Sequence, residues 1–387
     1  FFGRFTTSFR KEIPMVQEFL KDLEKVVNVD AGTACTEGVK QVAETFKEWY
    51  EGIGFTAKLV DLGDKVGPAL FATNKPEATR YDVMLNAHLD TVFPAGTVAV
   101  RPMTINGDRA YGPGVLDCKA GCMTIYYALK NLPKETLDKL SILVACNPDE
   151  ETGSVSSHDW LKECASKSDR ALIFEPAREG GELVCARKGS STYKITFHGV
   201  SAHAGNNPER GCDAIYAMVK FIAAVKELAD WDRGITLNFG AVRGGTVANV
   251  VADFAETQLD LRVWNDDDYN EVNAKIMELA KQEWVKGVTQ EIVETNHHGA
   301  MPLSEATKAM AGLIEEAAKI EGYDIAWMKA GGASDGNTTA AMGVPTLDGL
   351  GPVGGGMHCD KEYLEINSIE KHIKVAARFF TLIAERK

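Results

Sequence analysis

None of the eight cysteines in this 387-residue chain forms a Cys-x-x-Cys pair, which in so long a chain points to reduced thiols in a cytosol rather than a disulfide framework. No apolar run approaches the roughly 20 residues that cross a bilayer, so an integral membrane protein is excluded at this stage. Positive charge is also scarce: 42 Lys and Arg stand against 55 Asp and Glu, a formal net charge of -13. That balance disfavours a nucleic-acid or anionic-membrane partner. Internal repeats, low-complexity tracts and long linkers are missing too. What remains is ordinary for a globular protein, with 45% hydrophobic and 25% charged residues. The length exceeds one ordinary core and fits two domains. The chain starts at Phe1 rather than Met, so a preceding segment is expected; a cleaved export signal stays open beside the cytoplasmic reading.

Against this background, five residues carry the chemistry: His88, Asp117, Glu151, Glu175 and His358. Four of them follow short apolar runs, at 83–87, 142–146, 171–174 and 344–347, each of which reads as a buried strand. Ligands of an open α/β sheet collect at the carboxyl ends of its parallel strands, so these side chains are expected on one rim. Asp117 arrives from the Gly-rich loop Tyr111-Gly-Pro-Gly-Val-Leu-Asp117, which feeds a helix predicted over 120–132.

Two imidazoles and three carboxylates suit divalent metal. A catalytic zinc takes His nitrogen and carboxylate oxygen at about 2.0–2.2 Å and keeps one position for water, so five ligands are too many for one ion. One shared carboxylate gives each of two ions three protein ligands, with the ions roughly 3.5–4 Å apart and a water between them. Asp117, in the tight loop, is expected to bridge. Glu150 then stays off the metals as general base for the water, and Asp90, two residues after His88, fixes the imidazole tautomer. Thiolate ligation by Cys118 or Cys359 is the minor alternative. The donor set suits zinc most, and also accepts cobalt or manganese.

Helices are predicted over 13–27 and 37–52, at the start of the catalytic domain. From 192 to 295 the predicted order changes to strand 192–197, helix 212–228, strands 235–242 and 248–263, helix 269–285 and strand 289–295. This βαββαβ order is that of a ferredoxin-like unit. The expected organisation is therefore an α/β catalytic domain at 1–187 and 300–387, with a mixed, mostly parallel sheet between helices, interrupted by an inserted domain at 188–299. The catalytic part resumes with helix 304–321, the Gly331–Asp335 loop, a strand near Pro345 and helix 369–385.

The blocks His88-Leu-Asp90-Thr91-Val92, Gly112-x-Gly114-x-x-Asp117-x-Lys119-x-Gly121, Asp149-Glu150-Glu151-Thr152-Gly153, Glu175-Pro176, Ser201-Ala202-His203-Ala204-Gly205 and Gly356-Met357-His358 occur in this order along nearly the whole chain. Together they resemble the dizinc metallopeptidases and deacylases that include glutamate carboxypeptidase (carboxypeptidase G), aminoacylase, acetylornithine deacetylase and succinyl-diaminopimelate desuccinylase, the first most of all. The resemblance implies a zinc-exopeptidase-like catalytic domain. It also implies one metal on His88, Asp117 and Glu175, a second on Asp117, Glu151 and His358, and a cis peptide after Asp117. Glu at position 175 points to the carboxypeptidase and deacylase branch. The inserted domain would serve as lid and homodimerisation domain, with His203 entering the partner's active site. His203 and Asn249 are candidates to stabilise an oxyanion, and Arg262 to pair with a substrate carboxylate. An arginine expected near the return to the catalytic domain is replaced by Asn296-His297-His298, read as a linker, which weakens a preference for C-terminal glutamate.

The resulting expectation is a metal-dependent amidohydrolase that releases an amino acid with a free carboxylate from a small peptide or an N-acyl amino acid. The alternatives are a deacylase of N-acyl amino acids on the same scaffold and, from another class, a non-catalytic protein whose metals brace a peptide-binding module.

Overall fold

The computed structural model describes residues 13–387, so the first residues of the expected catalytic domain lie outside it. The described chain forms two compact units. One runs through Cys185 and takes up Leu303–Lys329 and Ser334–Lys387, and the other comprises Ala186–Pro302 and Ala330–Ala333.

The first unit is built on a six-stranded sheet in the order Thr56–Val60, Ala69–Thr73, Ile142–Asn147, Val83–His88, Ala171–Ile173 and Thr346–Leu347. The first two pairings are antiparallel with those that follow them, and the last four strands run parallel. The parallel strands are buried throughout and mostly apolar, because both faces are covered. Val83, Leu85, Ile142, Val144 and Leu172 join Phe46, Tyr50, Phe379 and Phe380 in the main core. On the opposite face Met84, Leu143, Ala145 and Ile173 pack with Leu161 and Ala165. The result is a three-layer α/β arrangement. All three central parallel strands therefore end at the same edge, and His88, the 149–154 turn and Glu175 follow from those ends.

Helices form where the periodicity predicts them: Ile13–Val27, Thr36–Gly52, Lys119–Lys130, Glu305–Ile320 and Ile366–Glu385. Ser304 caps the Glu305–Ile320 helix by accepting the Thr307 N–H at 3.1 Å. Gly121 sits in the first turn of the Lys119–Lys130 helix, where a Cβ would lie 2.0 Å from the Phe174 carbonyl oxygen. Only glycine lets this helix approach the strand end that precedes Glu175.

The second unit is a four-stranded antiparallel sheet, ordered Thr236–Gly244, Phe254–Val263, Gly189–His198 and Thr289–His298. In chain order this is 2-3-1-4, the split βαβ pattern. One face alternates buried residues, as in Gly189–His198. Tyr193, Ile195, Phe197, Leu259 and Leu261 pack there against Phe221, Val272 and Ile276 of the helices Ala214–Lys226 and Asp266–Leu279.

Two local expectations require correction. The apolar run at 248–253 belongs to no strand: Val251 N–H donates to Ala202 O at 2.9 Å and Ala204 N–H to Asn249 O at 2.9 Å, so the first part of the run pairs with the loop containing His203. Asn249 is thus a loop residue. Conversely, His297 and His298 are not in a linker but close the Thr289–His298 strand, where they pair with Ser191 and Ser190.

Candidate metal centre

His88 ends a fully buried strand, and its ring is fixed from behind. Nδ1 lies 3.1 Å from the Asp90 carbonyl oxygen and 3.2 Å from Asp90 Oδ1. With the Nδ1 proton given to Asp90, Nε2 faces forward, 3.1 Å from Asp117 Oδ1 and 3.6 Å from Glu175 Oε1. The other oxygen of Asp117 faces a different imidazole: His358 Nε2 is 3.4 Å from Asp117 Oδ2 and 3.1 Å from Glu151 Oε2. The five residues thus form two donor groups that share Asp117.

These separations suit a metal. Ligand atoms about 2.0–2.1 Å from a tetrahedral ion are roughly 3.3–3.4 Å from one another, and the imidazole–carboxylate separations in both groups, 3.1–3.6 Å, are close to that edge length. The electrostatics point the same way. Burial, with Glu175 and Asp335 nearby, pushes the Glu150 carboxyl well above the usual range, and burial lifts Glu151 to about 7. Hydrogen bonding to Asp117 raises His358 to about 9. Burial disfavours the charged form of His88, but Cys118, Asp117, Asp90 and Glu175 together raise it well above an ordinary histidine. Crowded acids that hold protons in this way are what a bound dication would relieve.

The Asp117–Cys118 peptide is cis, as the resemblance implies. Asp117 also depends on a residue that the sequence did not single out. Glu362, fully buried, accepts the N–H groups of Gly114 at 2.9 Å, Leu116 at 2.9 Å and Asp117 at 3.0 Å, and so shapes the Gly-rich loop around one carboxylate. Gly114 takes φ 71° within it, a left-handed conformation that glycine adopts without strain. Thr33 is a second unforeseen residue: its hydroxyl donates to Asp90 Oδ2 at 2.6 Å. Asp90 further accepts the N–H groups of Glu150 at 3.2 Å and Glu151 at 3.3 Å, tying the turn with the candidate base to the strand with His88.

Cys118 Sγ lies among the first donor group, but its thiol donates to the Phe174 carbonyl at 3.1 Å. Burial and Glu175 push it well above the usual thiol range, which favours oxygen and nitrogen ligands. Cys359 is exposed and bonded to its own loop at the Gly356 carbonyl.

The remaining candidates lie in the second unit. His203 is exposed, and its Nδ1 accepts the N–H groups of Gly205 and Asn206, both at 3.1 Å, which aims Nε2 away from its loop. Asn249 is exposed. Arg262, on the Phe254–Val263 strand, donates from Nε to Asp260 Oδ2 at 3.0 Å and from Nη1 to Gly331 O at 3.0 Å, so its guanidinium already has partners. His297 bonds the Ser191 hydroxyl at 2.7 Å and stacks on Tyr269 with ring centroids 4.2 Å apart, a structural engagement.

Residues 84–382 match the sequence profile of Peptidase family M20/M25/M40. The chain belongs to this family. It is thus a metallopeptidase or amidohydrolase, and the family match covers all five donor residues. Carboxypeptidase G2 of Pseudomonas sp. (strain RS-16) is 29% identical over 367 residues, covering 93% of this chain and 88% of that protein. Acetylornithine deacetylase of Vibrio cholerae is 28% identical over 241 residues, 58% of this chain and 62% of that protein. Among solved structures, aminopeptidase PepT from Bacillus cereus superposes with a TM-score of 0.81 at 22% identity, over 95% of this chain and 99% of that one. The metallo-carboxypeptidase Sso-CP2 from Sulfolobus solfataricus gives 0.66 at 19% identity, over 95% and 99%. Both structural likenesses establish the fold. No helix of the described residues is long and apolar enough to cross a membrane.

Proposed function

We propose that this M20-family hydrolase is a two-metal carboxypeptidase that cleaves an amide bond to release an amino acid with a free carboxylate. The observation that carries this reading is the division of Asp117 between His88 and His358, one carboxylate oxygen facing each imidazole. His88, Asp117 and Glu175 would hold one divalent ion, and Asp117, Glu151 and His358 the other, with zinc the best match to the donors. When bound, such a pair lowers the pKa of a water and polarises the scissile carbonyl.

The chain's own residues do the rest. Glu150 is outside both donor groups yet beside them; it takes the proton of the attacking water and passes it to the departing amine. Asp90 keeps the Nε2 lone pair of His88 turned inward. His203 and Asn249 are our candidates for the oxyanion donor, and Arg262, bonded here to Asp260 and Gly331, for the group that pairs with a substrate carboxylate.

Carboxypeptidase G2 aligns with nearly all of the chain, which favours the carboxypeptidase reading over the deacylase one. The missing arginine supports the latter, since the Asn296–His298 segment is committed to a sheet. Hydrolysis of folyl- or peptidyl-glutamate compared with N-acetyl amino acids by metal-loaded protein tests the choice. We assign homodimerisation to the second unit, where Ile215, Tyr216 and Val219 expose apolar surface on one helix. Light scattering showing only a monomer would count against it.

A further inference from the structure

Glu150 and Glu151 leave the Ile142–Asn147 strand on a turn that ends with two left-handed residues, Gly153 at φ 89° and Ser154 at φ 53°. Glycine takes this conformation freely. A serine there is disfavoured, because its Cβ crowds the following carbonyl oxygen, and needs an anchor. Asp90 secures one end of the turn through the Glu150 and Glu151 N–H groups. The other end is secured at Ser154, whose N–H donates to Asp149 O at 2.8 Å. The buried Ser154 hydroxyl donates to Asp335 Oδ1 at 2.5 Å and accepts from Asn147 Nδ2 at 3.1 Å. Asn147 in turn accepts from Asn86 Nδ2 at 3.2 Å, on the neighbouring parallel strand that ends in His88.

Asp335 is 3% exposed and begins the Asp335–Ala341 helix, which is locked by a capping box between Ser334 and Asn337. A hydroxyl held by a carboxylate from so fixed a position is a short, charge-assisted bond. The anchor therefore comes from an element about 180 residues away in sequence, and it acts on the turn that bears both the candidate base and one candidate ligand.

We propose that Asp335 is a positioning residue: through the Ser154 hydroxyl it holds the left-handed closure of the 150–154 turn and so sets Glu150 and Glu151 relative to His88 and Asp117. Its consequence for turnover rests on the functional reading above, whereas its consequence for the turn does not.

The experiment compares Asp335→Ala, Ser154→Ala and Ser154→Gly by kinetics, zinc retention after dialysis and amide hydrogen exchange. Asp335→Ala and Ser154→Ala both lose the anchor. Each is expected to lower kcat about 10- to 100-fold with KM little changed, because misplacing a reacting group by about 1 Å costs that much. Each should retain less zinc than the parent and exchange the Gly153 and Ser154 amides faster. Ser154→Gly needs no anchor and should stay near the parent, and adding Asp335→Ala to it should cost little. Comparing the two Ser154 variants keeps the test intact if Asp335→Ala does not fold. Parental kcat and exchange in Asp335→Ala or Ser154→Ala, even with a lower Tm, would overturn the proposal, as would a Ser154→Gly chain as impaired as Ser154→Ala. If the parent neither binds metal nor hydrolyses amides, the functional reading fails, and exchange at Gly153 and Ser154 alone decides the positioning role.

Discussion

Glu362 accepts the backbone N–H of Asp117 at 3.0 Å while fully buried, so the position of the shared carboxylate is set by a second carboxylate that touches it only through the main chain. Replacing Glu362 with Ala strands three buried N–H groups. Leaving a buried donor unpaired costs about 1–3 kcal/mol. We expect Glu362→Ala to lower stability by at least that much in urea unfolding and to weaken metal binding; unchanged stability would show that the loop closes without its acceptor.

Glu150 lies beside both donor groups but in neither. Glu150→Gln should keep its metals and lose about 10²- to 10⁴-fold in turnover, the usual contribution of a positioned acid or base. Parallel measurement of bound zinc and kcat checks this. Turnover at the parental rate removes Glu150 as the base.

Gly121 admits no side chain against the Phe174 carbonyl. Gly121→Ala should destabilise the protein by about 1–3 kcal/mol through overpacking. It should also displace the strand end that leads to Glu175. Thermal unfolding at parental temperature would show that the helix can back away at no cost.

His372 lies outside the candidate centre, buried on the Ile366–Glu385 helix with Nδ1 3.0 Å from the Leu350 carbonyl. Burial depresses it to about 4 from the ordinary 6.5, so the neutral ring is the folded form. Its contribution is complete above about pH 6.5. As pH falls from there through 4, the unfolded chain takes up a proton that the folded chain refuses, and stability drops by about 2–3 kcal/mol. His372→Gln, compared with the parent as metal-free protein at pH 7.5 and 4.5, should lose less stability on acidification by about that amount. Parallel pH profiles would contradict the assignment.

The catalytic scaffold was legible because its signals are local. Val83–Ala87 and Ile142–Cys146 are apolar runs of strand length, and the helical periodicity at 13–27 and 37–52 is unbroken. The five donors were legible because their types are chemically unusual together. The supporting shell was not. Nothing near Glu362 or Asp335 in sequence reveals that one cradles the Asp117 loop and the other holds Ser154, since both partners are more than 150 residues away. The 248–253 run misled because apolar pattern does not state which backbone its amides will find, here Ala202 rather than a sheet. His297 misled for the opposite reason: polar residues can end a strand when their side chains are engaged, as His297 is by Ser191 and Tyr269.

The central claim is that Asp117 lies between two cation positions, and metal counting tests it most directly. Metal-free protein titrated with zinc, then freed of excess, should hold two ions per chain in the parent and one in His358→Ala, which lacks a donor from only the second group. A parent that retains none, or a His358→Ala chain that still retains two, would contradict it.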